Sequence, residues 1–166
     1  EKAKNKKIAG LIPSIEDEQR EKYFNFSHTF SEQSLSVVVK HGNPLHIHSI
    51  KDLLGKTIVI QKGDRSEEKI VKSFPNVKIL YKDTLDEVFH AVIYGKADAT
   101  ISEASIRHLE NKFGLPYLNI AFELPKKIKL LISIRKDWTE AISIINKALG
   151  SISKKEFKNI KNKWKD

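Results

Sequence analysis

The sequence predicts an α/β protein built as two lobes, and three observations carry that reading. Short β-rich runs alternate with helically spaced segments through the middle of the chain, the signature of βαβ units around a mostly parallel sheet. Past Pro125 the alternation gives way to one long strand and two helices. The stretches "KKIAGLIPSI" and "GKADATISEA" echo one another. Each reads as a basic helix end, a short apolar strand and a serine at the strand's C-terminal end. Two such units far apart suggest two α/β lobes of related design. Ligands of open α/β sheets bind at the carboxyl ends of strands, where both serines fall.

Each element has a local cause. "LIPSIEDEQREKYFNFS" begins like a buried strand and ends like a surface turn, with Ser14 and Arg20 between. "KTIVIQKGD" is a strand closed by a glycine turn. "RSEEKIVKSF" follows with helical spacing at Ile70, Val71 and Phe74. "NVKILY" is a second strand. In "KDTLDEVFHAVIYGKADATI", Thr84 and Glu87 form a capping box, and Leu85, Val88, Phe89, Val92 and Ile93 make one apolar face. Gly95 closes that helix before a strand around Ala99 to Ile101. A helix of about Glu103 to Phe113 stops at Gly114 and leads into "LPYLNIAF". Beyond Pro125, "KIKLLISIRKD" is a strand, and Asp137 with Glu140 caps a helix whose inner face carries Ala141, Ile144, Ile145, Ala148 and Leu149. In the basic tail, Phe157, Ile160 and Trp164 share a helical stripe, so the tail is expected to dock as an amphipathic helix.

Composition narrows the function. The 166 residues are 40% hydrophobic, enough for a core, and no apolar run is long enough to span a bilayer. No signal peptide opens the chain, so a secreted protein would have to be shown here without its leader. The net charge is +9, but the lysines are scattered rather than clustered with arginines and exposed aromatics, which speaks against nucleic acid. The absence of cysteine excludes disulfides, thiolate metal sites and cysteine nucleophiles. His41, His46 and His48 lie close together, yet nothing marks a third metal ligand at the right distance, so neither metal nor other cofactor is expected. Serine-hydrolase, kinase and zincin motifs are absent, and so is a Walker loop.

The candidate binding residues are few. Ser14 and Arg20 could hold an anion; the alternative is that Arg20 pairs with Glu16 or Glu21 on a solvated surface. Gly63 makes a turn, and Asp64, Arg65 and Ser66 stand at a helix N-terminus suited to a carboxylate or phosphate. Ordinary capping by Asp64 explains that turn equally. Glu103, directly after "DATIS", could receive a ligand ammonium or simply favour the next helix's N-terminus.

Taken in order, these stretches resemble the type 2 periplasmic solute-binding proteins, the Venus-flytrap family that captures polar amino acids. The resemblance spans nearly the whole chain. It rests on "LIPSIEDEQREKYFNFS", "SIKDLLGKTIVIQKGD", "VFHAVIYGKADATISEA" and "LLISIRKD". It implies a periplasmic-binding-protein type 2 fold with two α/β lobes joined by crossing strands near "LSVVVKHG" and "KIKLLISIR". Lobe 1 would be residues 1–42 and 126–166, and lobe 2 residues 43–125. In the family the arginine grips the ligand α-carboxylate, which carries to Arg20 helped by Ser14. The residues after the glycine loop, here Asp64, Arg65 and Ser66, donate to the same carboxylate. The family's ammonium-binding aspartate falls on Glu103, and an aspartate usual in the first strand falls on Gly10.

The implied protein is a non-enzyme. An amino acid or similar zwitterion would bind in the cleft and favour closure of the lobes. The sensor branch is favoured: an extracytoplasmic domain attached to a membrane-anchored signalling module. Its rivals are a free periplasmic binding protein feeding an ABC permease and an amino-acid-binding regulatory domain of an enzyme. The resemblance also implies that a strand, a helix, a second strand and another helix precede the segment matching Lys7 to Ser14. Residues 1–166 are therefore expected to form a fragment with a complete lobe 2 and an incomplete lobe 1. Its exposed edges would be covered by a further segment or by a neighbouring copy, as in a homodimer.

Overall fold

The computed structural model describes residues 5–102 and 117–163. The chain divides into two compact units, residues 1–32 with 129–166 and residues 33–128. It passes between them within two long strands.

The second unit holds the larger core. Its strands are β3 (Ser31–Lys40), β4 (Thr57–Gln61), β5 (Lys78–Lys82), β6 (Ala99–Ser102) and the first part of β7 (Leu118–Arg135), in the order β7-β3-β6-β4-β5. β4 runs parallel to both β5 and β6, whereas β3 and β6 are antiparallel. The sheet is therefore mixed rather than mostly parallel. Only the strands joined by helical crossovers need to be parallel. Helices α2 (Arg65–Val71) and α3 (Leu85–Ile93) supply those crossovers; a preceding helix, α1, is a single turn at Glu18–Glu21 in the other unit.

Helix α3 forms as its sequence dictates. The Thr84 side chain accepts from the Glu87 backbone N–H, and the Glu87 carboxylate returns the favour at the Thr84 backbone N–H. These bonds, led by the Thr84 backbone N–H, hold the Glu87 carboxyl below its usual range. One face then buries Val88, Phe89 and Val92 against Val38, Val59, Ala97 and Leu118. "GKADAT" is structural: Asp98 accepts from the Thr57 N–H at 2.7 Å, and Thr100 Oγ1 donates to the buried Val59 carbonyl at 2.6 Å. Together they lock the parallel pair β4–β6.

Strand β7 departs from expectation. "LPYLNIAF" and "KIKLLISIR" are parts of one strand of 18 residues that runs straight through Pro125. Proline interrupts a ladder only where its missing N–H is needed, and Pro125 to Lys127 are exposed.

In the first unit, β1 (Gly10–Ser14) and β2 (Phe24–Phe26) both pair antiparallel with the C-terminal part of β7. Strand β1 is not the buried strand its apolar sequence suggested, because Ile12 is 67% exposed. Gly10 has a packing reason. An added Cβ would overlap the Ser133 carbonyl oxygen and lie 2.9 Å from Ile134 Cδ1. No side chain fits there, the family's aspartate included. Gly10→Ala is expected to lower stability by about 1–3 kcal/mol, read as an earlier urea midpoint. An unchanged midpoint would mean β1 does not seat against β7 this closely.

Helices α4 (Ala141–Ser151) and α5 (Lys154–Lys163) complete this unit. The expected cap at Asp137 is not made: α4 starts after Glu140, which makes no side-chain cap bond. Nor is its apolar face buried; no residue of α4 is, and Ile144 is 65% exposed. Asp137 is taken by a stronger claim. Arg135 Nε donates to it at 2.9 Å, Lys6 Nζ lies 3.3 Å away, and Arg135 Nη1 donates to the Lys6 carbonyl. A cap bond to backbone N–H groups loses to a bidentate guanidinium with a second cation beside it. In α5, Ser153 and Glu156 exchange cap bonds, Ile160 is half-exposed, and Trp164 lies outside the described residues.

The Asp137 clamp sets a pH expectation. Arg135, foremost, and Lys6 hold the Asp137 carboxyl well below its ordinary value of 3.8. A carboxyl lowered on folding stabilises the fold above its unfolded value and loses that contribution as the pH falls below it. The Arg135 N–H, which donates to the Ala9 carbonyl, should therefore stay protected from hydrogen exchange down to about pH 4 and lose protection below. Asp137→Asn should show that weaker protection already at pH 7. Equal protection in the variant would show that the clamp does not fasten the N-terminal segment.

Candidate functional site: a propped arginine and a capped turn

In the first unit the structure brings Ser14 and Arg20 together. Asp17 ends the chain's extended run and caps α1: its carboxylate accepts from the Gln19 N–H at 2.8 Å and the Arg20 N–H at 3.3 Å. This turn carries the half-buried Arg20 back toward the end of β1, where Ser14 is only 2% exposed. Arg20 Nη1 donates to Ser14 Oγ and to the Ile15 carbonyl, both at 3.4 Å.

The surface-pairing alternative fails on this geometry. Among the described residues no carboxylate, Glu16 and Glu21 included, meets the Arg20 guanidinium. One nitrogen is propped on neutral oxygens, and the opposite edge of the fork carries donors enough for a carboxylate. Sequence reasoning missed Asp17 and the Ile15 carbonyl. The signal for Asp17 was present in "EDEQRE", an aspartate followed by first-turn acids.

In the second unit, Gly63 sits at φ +89°, a left-handed turn that a side chain would strain. Asp64 follows as the N-cap of α2. One of its oxygens accepts from the Ser66 N–H and the Glu67 N–H, each at 3.0 Å, and from Ser66 Oγ at 2.5 Å. The turn is thus filled by its own carboxylate. A carboxylate engaged in this way accepts and does not donate, and it takes both the N–H and the hydroxyl of Ser66, so the donors the resemblance places here reduce to Arg65.

Glu103 lies outside the described residues, as does the expected helix at 103–113. The residue before it, Ser102, is buried at the end of β6. The two serines of the internal echo, Ser14 and Ser102, therefore both end short strands and are both buried. Among the described residues no group of three or more histidine and acidic side chains is arranged to hold a metal.

Known proteins match this chain throughout. It is 28% identical over 149 residues to the virulence sensor protein BvgS of Bordetella bronchiseptica, covering 88% of this chain and 12% of that protein. It is 30% identical over 148 residues to the probable amino-acid-binding protein YxeM of Bacillus subtilis, covering 76% of this chain and 55% of that one. The chain thus spans only part of the length of these relatives. An ancestral arginine-binding protein bound to arginine superimposes with a TM-score of 0.82 at 28% identity, over 99% of this chain and 75% of that one. The fold is the periplasmic-binding-protein type 2 fold. With its sequence profile matched over residues 1–166, the chain belongs to the bacterial extracellular solute-binding proteins, family 3.

Proposed function

We propose that the chain is an extracytoplasmic domain that binds a small amino acid or similar zwitterion. The observation that carries this reading is Arg20, propped on neutral oxygens with no carboxylate partner among the described residues. In this reading Arg20 with Ser14 takes the ligand's α-carboxylate, Arg65 adds a donor, Asp64 and Ser66 hold the turn that carries it, and Glu103 takes the ammonium. A guanidinium presents two parallel N–H groups to a carboxylate, which a lysine does not. Binding makes and breaks no bond; its product is occupancy.

Occupancy serves a membrane signalling protein in this reading, which the similarity to BvgS supports. The similarity to YxeM favours a second reading, a free binding protein that delivers its ligand to an importer. A downstream apolar segment of about 20 residues in the full gene would mark the sensor; its absence would mark the carrier.

A thermal-shift panel of L-amino acids, with L-arginine and L-glutamine first, tests the binding. At least one amino acid should raise the melting temperature, and its α-amide should not. No shift with any of them, or equal shifts with acid and amide, would sink the carboxylate reading. Glu103→Gln should weaken the best amino acid by about tenfold and leave its deaminated analogue unchanged, since only the former offers an ammonium. Equal losses for both would take Glu103 out of the ammonium's company.

A further inference from the structure

Helix α1 is four residues long. A single helical turn does not sustain itself, because nucleation fixes several dihedrals for one hydrogen bond. Among the described residues, Asp17 holds its start. The Asp17 carboxylate accepts from the Gln19 and Arg20 N–H groups, and the Asp17 carbonyl accepts from the Arg20 N–H at 2.8 Å and the Glu21 N–H at 2.9 Å. The Arg20 N–H is therefore shared between two oxygens of one residue. On its other side, the Arg20 carbonyl accepts from the Tyr23 N–H at 2.9 Å. The backbone that carries the fork is fixed at both ends.

The side chain is held far less firmly. Both of its contacts, to Ser14 Oγ and to the Ile15 carbonyl, are 3.4 Å long, at the weak end of hydrogen bonding. They steer the guanidinium without fixing it, so its direction depends on where the backbone turn starts. We infer that Asp17 is a positioning residue for ligand binding: its side chain sets the turn that aims the Arg20 fork. The inference rests on the reading of Arg20 as the carboxylate holder. Asp17 itself need not touch the ligand. Any side chain that caps the turn would serve, and one that cannot cap would not.

The test uses Asp17→Ala, which removes the cap, Asp17→Ser and Asp17→Asn, which keep one, and Asp17→Ala combined with Arg20→Ala. By calorimetry with L-arginine, Asp17→Ala should bind about three- to tenfold more weakly, and the Ser and Asn variants within about twofold of the parent. In the Arg20→Ala background, Asp17→Ala should change nothing further. A loss of the same size in all three single variants, or one that persists without Arg20, would overturn the inference. A second arm needs no ligand. The Arg20 backbone N–H resonance should give a high heteronuclear NOE in the parent and the Ser variant and a lower one in Asp17→Ala. An unchanged NOE would overturn the inference as well. If the parent binds no amino acid of the panel while the NOE falls as stated, the carboxylate reading is what fails, and the setting of the turn by Asp17 stands.

Discussion

Arg20→Lys is expected to weaken amino-acid binding by about 1–3 kcal/mol, roughly five- to 150-fold, while leaving the fold intact. The reasoning lies in the geometry of the two cations. The guanidinium is planar and can spend one nitrogen on Ser14 Oγ and the Ile15 carbonyl while its other edge stays aligned for a carboxylate. An ammonium is a point charge with three rotating donors and keeps no such edge. The loss should appear with every amino acid that binds, because all share the α-carboxylate. Calorimetry of the parent and variant with the same amino acid gives the number. Equal affinities would remove Arg20 from the site, and a variant that unfolds would point to a structural role instead.

Phe89→Ala is expected to have the largest effect on stability, about 3–5 kcal/mol. Phe89 is fully buried on α3 and packs in the cluster formed by Val38, Val59, Val88, Ala91, Val92, Ala97 and Leu118. Removing the ring deletes its contacts and leaves a cavity between α3 and the sheet that backbone relaxation fills only in part. Urea unfolding followed by fluorescence would measure it. A cost under about 1 kcal/mol would mean the ring is not enclosed as described. The same argument predicts that the loss is felt in the second unit, because the buried apolar residues of the first are few: Phe24, Leu130, Leu131 and Ile134 among the described residues.

Helix α3 was legible, apart from Leu85, which was read onto the apolar face and is exposed, because its causes are local. A capping box, a 3.6-residue apolar stripe and a glycine stop all lie within a dozen residues, and each does what its chemistry requires. The pairing of Ser14 with Arg20 was legible for a related reason: a short turn leaves few places for an arginine six residues from a strand's last serine. What was not legible depended on distant partners. Asp137 reads as a cap in its own neighbourhood, but Arg135 and Lys6 claim it, and Lys6 is far away in sequence. Pro125 reads as a break, but it lies in an exposed stretch of β7 that the strand runs through. The apolar face of α4 reads as core, and among the described residues it is at most half-buried. Gly10 stood out as a departure from the family's aspartate, but its packing reason was not legible, since the carbonyl that excludes a side chain there belongs to Ser133.

The central claim, that Arg20 holds the α-carboxylate of an amino acid, is tested most directly by a crystal structure of the chain with the amino acid that raises its melting temperature most. Two guanidinium nitrogens of Arg20 should lie about 3 Å from the two carboxylate oxygens, with Ser14 beside them. A bound amino acid whose carboxylate is held by other groups, with the Arg20 guanidinium turned to solvent, would contradict it.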